Sequence, residues 1–234
     1  MGIASLLFVP RCVSCRKRLP RDYSLPLCEE CNGKWNIEKS SPCPMCGQPF
    51  DNCWCNVRAD LKHNIYLERH LTVYLSKCDS ISKRIILNMK KRAYAPLFNM
   101  ISVEMASYIE GWIEDNNKSV IVNIPRRKLS IKYFGFDQAL ELSRSIADIV
   151  HVDTVQAIVH SGSKKQKSFG LKDRMKNARK SFTLSDKYKN DIKGKRVILV
   201  DDVVTSGASA ARCAELLKRA GAERIYLASI ARAY

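Results

Sequence analysis

Residues 196–209 read Arg196-Val-Ile-Leu-Val-Asp201-Asp202-Val-Val-Thr205-Ser206-Gly207-Ala-Ser209, and this stretch decides the fold. Residues 197–200 are uninterrupted aliphatic and partly β-branched, the pattern of a parallel strand buried on both faces. Beyond the following loop, Ala210, Cys213, Ala214 and Leu217 recur at helical spacing, and Gly221 stands where a C-terminal cap belongs. Residues 224–230 read as the next strand, which makes a β-α-β unit with a right-handed crossover. Asp201 and Asp202 leave the carboxyl end of the first strand, the edge where open α/β sheets bind ligands. The loop 204–209 carries one Gly, two Ser and one Thr at a helix N-terminus, where unpaired N–H groups and the helix dipole suit a phosphate. Carboxylates would repel that phosphate unless they serve another group. Ribose hydroxyls are one such group, because an ionised carboxylate only accepts hydrogen bonds; a Mg²⁺ held through waters is another. No G-x-x-x-x-G-K-[ST] segment and no G-x-G-x-x-G after a strand competes with this reading.

Working outward, residues 120–124 form a second buried strand ended by Pro125. Arg126, Arg127 and Lys128 follow at the same sheet edge as Asp201 and Asp202, where three cations can hold a pyrophosphate; a solvated basic turn is the plainer alternative. Next comes Tyr133-Phe134-Gly135-Phe136-Asp137-Gln138, in which Asp137 is a good N-cap for a helix with Ala139, Leu142, Ile146 and Ile149 on one face. Residues 161–180 combine dense charge with weak periodicity. They read as a mobile loop leading into a short helix around 171–178, with Lys164, Lys165, Lys167 and Arg174 as candidate contacts to pyrophosphate or DNA. Upstream, Asp79 or Ser80 caps a helix with Lys90, Lys91 and Arg92 in its last turn, as the dipole favours, and Pro96 opens another.

The chain has 234 residues, enough for one ordinary domain and a small module, and a formal net charge of +17 that attracts polyanions. No stretch is long enough to span a bilayer, and the short apolar run 3–9 lacks a signal peptide's flanks, so a cytoplasmic location is expected. Eight of the ten cysteines lie between positions 12 and 55. Cys12, Cys15, Cys28 and Cys31 make one C-x2-C…C-x2-C set; Cys43, Cys46, Cys53 and Cys55 make a second whose last pair is C-x-C. Tetrahedral zinc needs four such ligands, and each set offers four thiolates, a closed structural site. The sequence is compatible with one or two zinc ions and with sequential or cross-braced pairing. Redox chemistry would instead call for one pair ahead of a helix in a β-α-β unit. Cys78 and Cys213 read as small core residues, and the four histidines have no motif around them.

Residues 196–209 closely resemble the phosphoribosyl pyrophosphate (PRPP) motif of type I phosphoribosyltransferases: a hydrophobic strand, two acidic residues, then a small-and-hydroxyl phosphate loop. The resemblance implies that Asp201 and Asp202, the candidate catalytic pair, bind the ribose 2′- and 3′-hydroxyls. Val204, Thr205, Ser206, Gly207, Ala208 and Ser209 would then cradle the 5-phosphate, with Mg²⁺ accompanying PRPP. The double cysteine module, the Pro-ended strand with its basic residues, the aromatic-Gly135-Phe136-x-Gln138 block and the PRPP motif together resemble the ComF family, of the ComFC-like kind. That family's block runs Arg-Gly-Phe-Asn-Gln, from which Phe134 and Asp137 depart, while Gln166, Leu171, Arg174 and Asn177 match recurrent positions.

The implied architecture is α/β, a type I phosphoribosyltransferase-like (Rossmann-like) parallel sheet flanked by helices. A double zinc ribbon over 1–58 would precede the phosphoribosyltransferase-like domain over 59–234. The implied activity is transfer of ribose 5-phosphate from Mg·PRPP to an acceptor with release of pyrophosphate. The implied role is in natural competence and uptake of transforming DNA. The alternative is a non-catalytic PRPP- or nucleotide-binding module, or a single-stranded DNA-binding one, working with a helicase-like partner.

Overall fold

The computed structural model describes residues 9–42, 64–76, 80–161 and 171–233. The second cysteine set, Cys78, the expected boundary at 58/59, and Lys164, Lys165, Gln166 and Lys167 lie outside them.

Five strands form one parallel sheet in the order β1-β7-β6-β2-β3: β1 (Arg69–Ser76), β2 (Ser119–Asn123), β3 (Asp153–Thr154), β6 (Arg196–Val204) and β7 (Arg224–Ala233). A separate antiparallel pair joins β4 (Ile158–His160) to β5 (Phe182–Leu184). The aliphatic run of β6 explains the layering. Successive side chains in a strand point to opposite faces. Ile198 and Val200 enter one core, with Tyr226, Ala228 and Ile121 from neighbouring strands. Val197 and Leu199 enter the other, with Val122, Ile225 and Leu227. Both faces are covered, so no polar alternation is required.

The first face is covered by helices α2 (Ile81–Lys91), α3 (Ala95–Ile109) and α5 (Gln138–Val150). Between α3 and α5 lies the short helix α4 (Lys128–Phe134), ended by Gly135 at φ +83°, a left-handed turn open to glycine at little cost. The second face is covered by α8 (Ala208–Arg219), which follows α6 (Leu171–Ser181) and the four-residue α7 (Lys189–Ile192). Cys213 of α8 is fully buried in this core, as its spacing implied.

The N-terminal cysteine segment carries α1 (Glu29–Ser40), whose Trp35 is 1% exposed. Trp35, Leu27, Val13 and Cys12 share one continuous apolar core with Ile85, Met89, Leu97 and Ile101 of α2 and α3. Glu104 of α3 accepts from Trp35 Nε1 at 3.3 Å and also from Lys39.

β6 runs four residues further than its aliphatic core, through both aspartates. Pairing with β7 continues at Asp201↔Ser229, Val203↔Ala231 and Val204↔Arg232, so ladder hydrogen bonds outlast the apolar pattern. Among the described residues no helix is long and apolar enough to cross a membrane.

Candidate ribose-phosphate site and cysteine centre

Parallel pairing of β2 with β6 brings their carboxyl ends side by side, and the register is extended by Ile124 N–H donating to Val200 O at 2.9 Å. Pro125 then turns the chain, so that Arg126 and Arg127 stand beside Asp201 and Asp202. A cavity of about 230 Å³ opens at this edge. Among the residues that line it are Arg126, Arg127, Asp201, Asp202 and Ser209, with Gln138, His160 and Phe182. Lys128 and Arg174 are exposed and do not line it.

The two aspartates are held differently. Asp201 Oδ1 accepts from the Asp202 backbone N–H at 2.8 Å. Asp202 Oδ1 accepts from Val203 N–H at 2.7 Å, while its Oδ2 accepts from Gln138 Nε2 and faces Lys90 Nζ at 3.5 Å. Burial, then the neighbouring Asp202 charge, pushes the Asp201 carboxyl well above the usual carboxylate range, and Lys90 partly opposes this. The pair is therefore asymmetric: one carboxyl resists ionisation and the other is matched by a cation and an amide.

β6 is followed by a three-residue turn, 205–207, and then α8. Gly207 holds φ +79° as the N-cap of α8 and contributes no capping side chain. The helix has no acidic residue in its first turn, and Ser206 Oγ accepts weakly from Ala208 N–H at 3.4 Å. Its dipole end is thus left largely to an outside anion. Thr205 is exposed, Val204, Ser206, Gly207 and Ala208 are buried, and Ser209 reaches the cavity wall.

Asp137 does more than the expected N-cap. Its Oδ1 accepts from Ala139 N–H at 3.1 Å and Leu140 N–H at 3.3 Å, and its Oδ2 accepts from Arg126 N–H at 2.8 Å. One carboxylate thereby starts α5 and pins the turn that carries Arg126. Three N–H donors need acceptors on both oxygens, which an Asn side chain does not have. Burial raises the Asp137 pKa even against these bonds. Phe134 supports the same arginine from another side, because the Arg126 guanidinium lies over its ring, 4.3 Å from the centroid. His160 packs edge-on to Phe182 at 4.8 Å, and burial, then the charge of Arg127, lowers its pKa.

Lys90, Asp137, Gln138 and His160 carry no site role in the sequence reading. Gln138 and Asp137 stand in a recognisable block, whereas Lys90 reaches Asp202, and His160 the cavity, only through tertiary packing and with no local signal.

Cys12, Cys15, Cys28 and Cys31 converge so that their sulfurs all lie within 4.8 Å of one another. Cys15 Sγ and Cys28 Sγ are 3.6 Å apart, against about 3.8 Å for the edge of a tetrahedron with ~2.3 Å Zn–S bonds. Four sulfurs at this separation fit a structural zinc ion. Although burial raises the Cys12 thiol, backbone hydrogen bonds at Cys15, Cys28 and Ser14 bring it down to about 7. Burial pushes Cys31 up to about 12, so a dication is what would draw all four into the thiolate form.

A family profile described as the phosphoribosyl transferase domain matches residues 104–233. Ribose-phosphate pyrophosphokinase of Thermococcus kodakarensis is 46% identical over 39 residues, 17% of this chain; the chain spans only 14% of that protein's length. Competence protein F of Haemophilus influenzae is 23% identical over 227 residues, covering 88% of this chain and 96% of its own. The solved structure of the allosteric regulatory enzyme of purine biosynthesis superposes with a TM-score of 0.43 at 13% identity, over 63% of this chain and 30% of that one.

Proposed function

Because the chain belongs to the phosphoribosyl transferase domain family, we propose that it binds PRPP at the carboxyl edge of β6 and β2 and transfers its ribose 5-phosphate to an acceptor. One observation carries this reading: a carboxylate pair, two arginines and Ser209, in the first turn of a helix without a capping side chain, line one cavity. The 5-phosphate would take the N–H groups at 205–209, and the ribose hydroxyls would donate to Asp201 and Asp202. Arg126 and Arg127 would meet the pyrophosphate. Attack by the acceptor at C1 forms the new bond while the C1–O bond to pyrophosphate breaks, and that oxygen leaves with the electron pair.

In this scheme the residues act by orientation and by electrostatics. Arg126 and Arg127 stabilise negative charge gathering on the leaving group. Asp202, held by Lys90 and Gln138, would lie on the side of the sugar ring that becomes electron-poor. Mg²⁺ bound with PRPP would further neutralise the pyrophosphate, and the carboxylate oxygens of Asp201 and Asp202 fit such a hard cation. The similarity to Competence protein F supports a role in natural competence. Loss of transformation on deletion of the gene, with restoration by the wild-type copy, is its test.

Calorimetric titration with Mg·PRPP, beside an Asp201→Asn/Asp202→Asn variant, tests the site. Saturable binding that disappears in the variant is expected; a folded, zinc-replete wild type that gives no heat would sink the proposal. Pyrophosphate release across candidate acceptors then tests transfer.

A second reading rests on α4 and its flank. Arg127, Lys128, Lys132 and Tyr133, the last 81% exposed, form a basic surface with an aromatic ring beside the cavity. Such a surface suits single-stranded DNA, by phosphate neutralisation and base stacking. Anisotropy titrations at several salt concentrations decide it: binding that weakens with salt and is lost in Tyr133→Ala supports the reading, and absence of binding removes it.

A further inference from the structure

Lys90 lies outside the family-matched segment, which begins at residue 104, yet it faces one of the two aspartates. The plain reading is a last-turn cation complementing the dipole of α2, as Lys91 is. Two contacts set Lys90 apart. Its Nζ is 3.5 Å from Asp202 Oδ2, the same oxygen that takes the Gln138 amide, and its backbone carbonyl accepts from Arg126 Nη2 at 3.5 Å. The C-terminal turn of α2 therefore touches both Asp202 and Arg126, two residues that line the cavity.

The other end of α2 belongs to the cysteine segment. Glu38 of α1 accepts from Ile81 N–H at 2.7 Å and from Ser82 N–H at 3.1 Å, placing a carboxylate on the positive end of the α2 dipole. Along its length, Asn88 Nδ2 donates to Val13 O at 2.8 Å and Arg84 Nη1 to Ser14 Oγ at 3.3 Å, both acceptors lying between Cys12 and Cys15 in sequence. Eleven residues, roughly 16 Å of helix, thus join the cysteine centre to Asp202.

We propose that Lys90 is a positioning residue of the ribose-phosphate site: its ammonium fixes the Asp202 carboxylate, and the cysteine module fixes Lys90 through α2. The ligand part rests on the proposed function above; the placement of Asp202 does not.

The test uses the full zinc-loaded chain, ¹⁵N-labelled at glutamine, and follows the Gln138 side-chain amide together with affinities for Mg·PRPP and ribose 5-phosphate. In Lys90→Met, folded by circular dichroism, the Gln138 amide resonance should move. Both affinities should then fall by the same factor, roughly three- to tenfold, because both ligands present the ribose hydroxyls to the displaced carboxylate. Lys90→Arg should restore both readouts. Glu38→Gln, at the far end of the helix, should shift the amide the same way with zinc content unchanged.

An unmoved amide in Lys90→Met overturns the proposal. So does a loss confined to Mg·PRPP, which would make Lys90 a pyrophosphate contact. A silent Glu38→Gln overturns the link to the cysteine module. If wild type binds neither ligand while the amide responds as expected, the ribose-phosphate reading falls and the hold of Lys90 on Asp202 stands.

Discussion

Replacing Asp137 by Asn changes one oxygen for one NH2 and leaves shape intact, so its cost is that of the hydrogen bonds lost, less the desolvation relieved when the buried charge is removed. Three backbone N–H groups converge on the carboxylate, two on Oδ1 and that of Arg126 on Oδ2. The amide serves one side only. With its oxygen toward the helix it opposes an NH2 to Arg126 N–H; flipped, it abandons both helix donors. The better orientation leaves one buried donor unmet, a loss of about 1–3 kcal/mol. Taking about 2 kcal/mol, a chain of 234 residues should lose roughly 4–8 °C in Tm. Asp137→Ala, losing the cap as well, should cost about 1 kcal/mol more.

The pH dependence supplies a second check. Burial raises the folded pKa of Asp137 above its unfolded value, so the folded state binds the proton more tightly. Wild-type stability from this group is highest below the unfolded pKa and declines as pH rises through the folded one. The Asn variant lacks that slope, so the difference between the two proteins should change with pH across this window. Urea denaturation of both proteins across this window measures it. An Asn variant within about 0.5 kcal/mol of wild type at every pH would refute the three-donor account.

Other consequences are open to measurement. Gly207→Ala forces a β-carbon into φ +79°, so a loss of about 1–2 kcal/mol in stability, or an equivalent loss of phosphate affinity, should be seen in melting and titration. Glu104→Ala strips the partner from both Trp35 Nε1 and Lys39; about 1–3 kcal/mol should be lost, with the tryptophan emission shifted, and an unchanged melt would contradict the shared core. His160 should titrate below the usual histidine range by NMR, and Arg127→Ala should move it part of the way back, since burial is the larger cause and would remain. Cys28→Ser should reduce zinc content and lower Tm, because Cys28 belongs to the four-sulfur cluster and to the core that also holds Trp35.

Much of this molecule is legible one segment at a time. The run 197–200 announces a strand covered on both faces because its side chains alternate between two apolar cores. Asp137 announces a helix start because capping is local. The end of β6 escapes for the opposite reason: its last residues are kept in the strand by β7, a partner that the local pattern at 201–204 does not reveal. Lys90 is invisible as a site residue because its helix-end position has a sufficient local explanation. Only the packing of α2 against the sheet brings its ammonium to Asp202. The same holds for the bond that Asp137 accepts from Arg126, which depends on where the β2 strand turns.

The strand order has a bearing on how the chain reaches this shape. Among the described residues β1 pairs with β7 alone, Arg69 opposite Tyr226, across roughly 160 residues, a separation that makes the contact slow to form by chain search. While a ribosome is still extending the chain, β1 awaits β7, and β6 presents unpaired N–H and C=O groups on the side that β7 will fill. Completion of the last strand therefore settles two pairings at once. During synthesis these two edges are the places where a holding chaperone would have most to protect, and a nascent chain arrested before residue 224 should be correspondingly prone to aggregate.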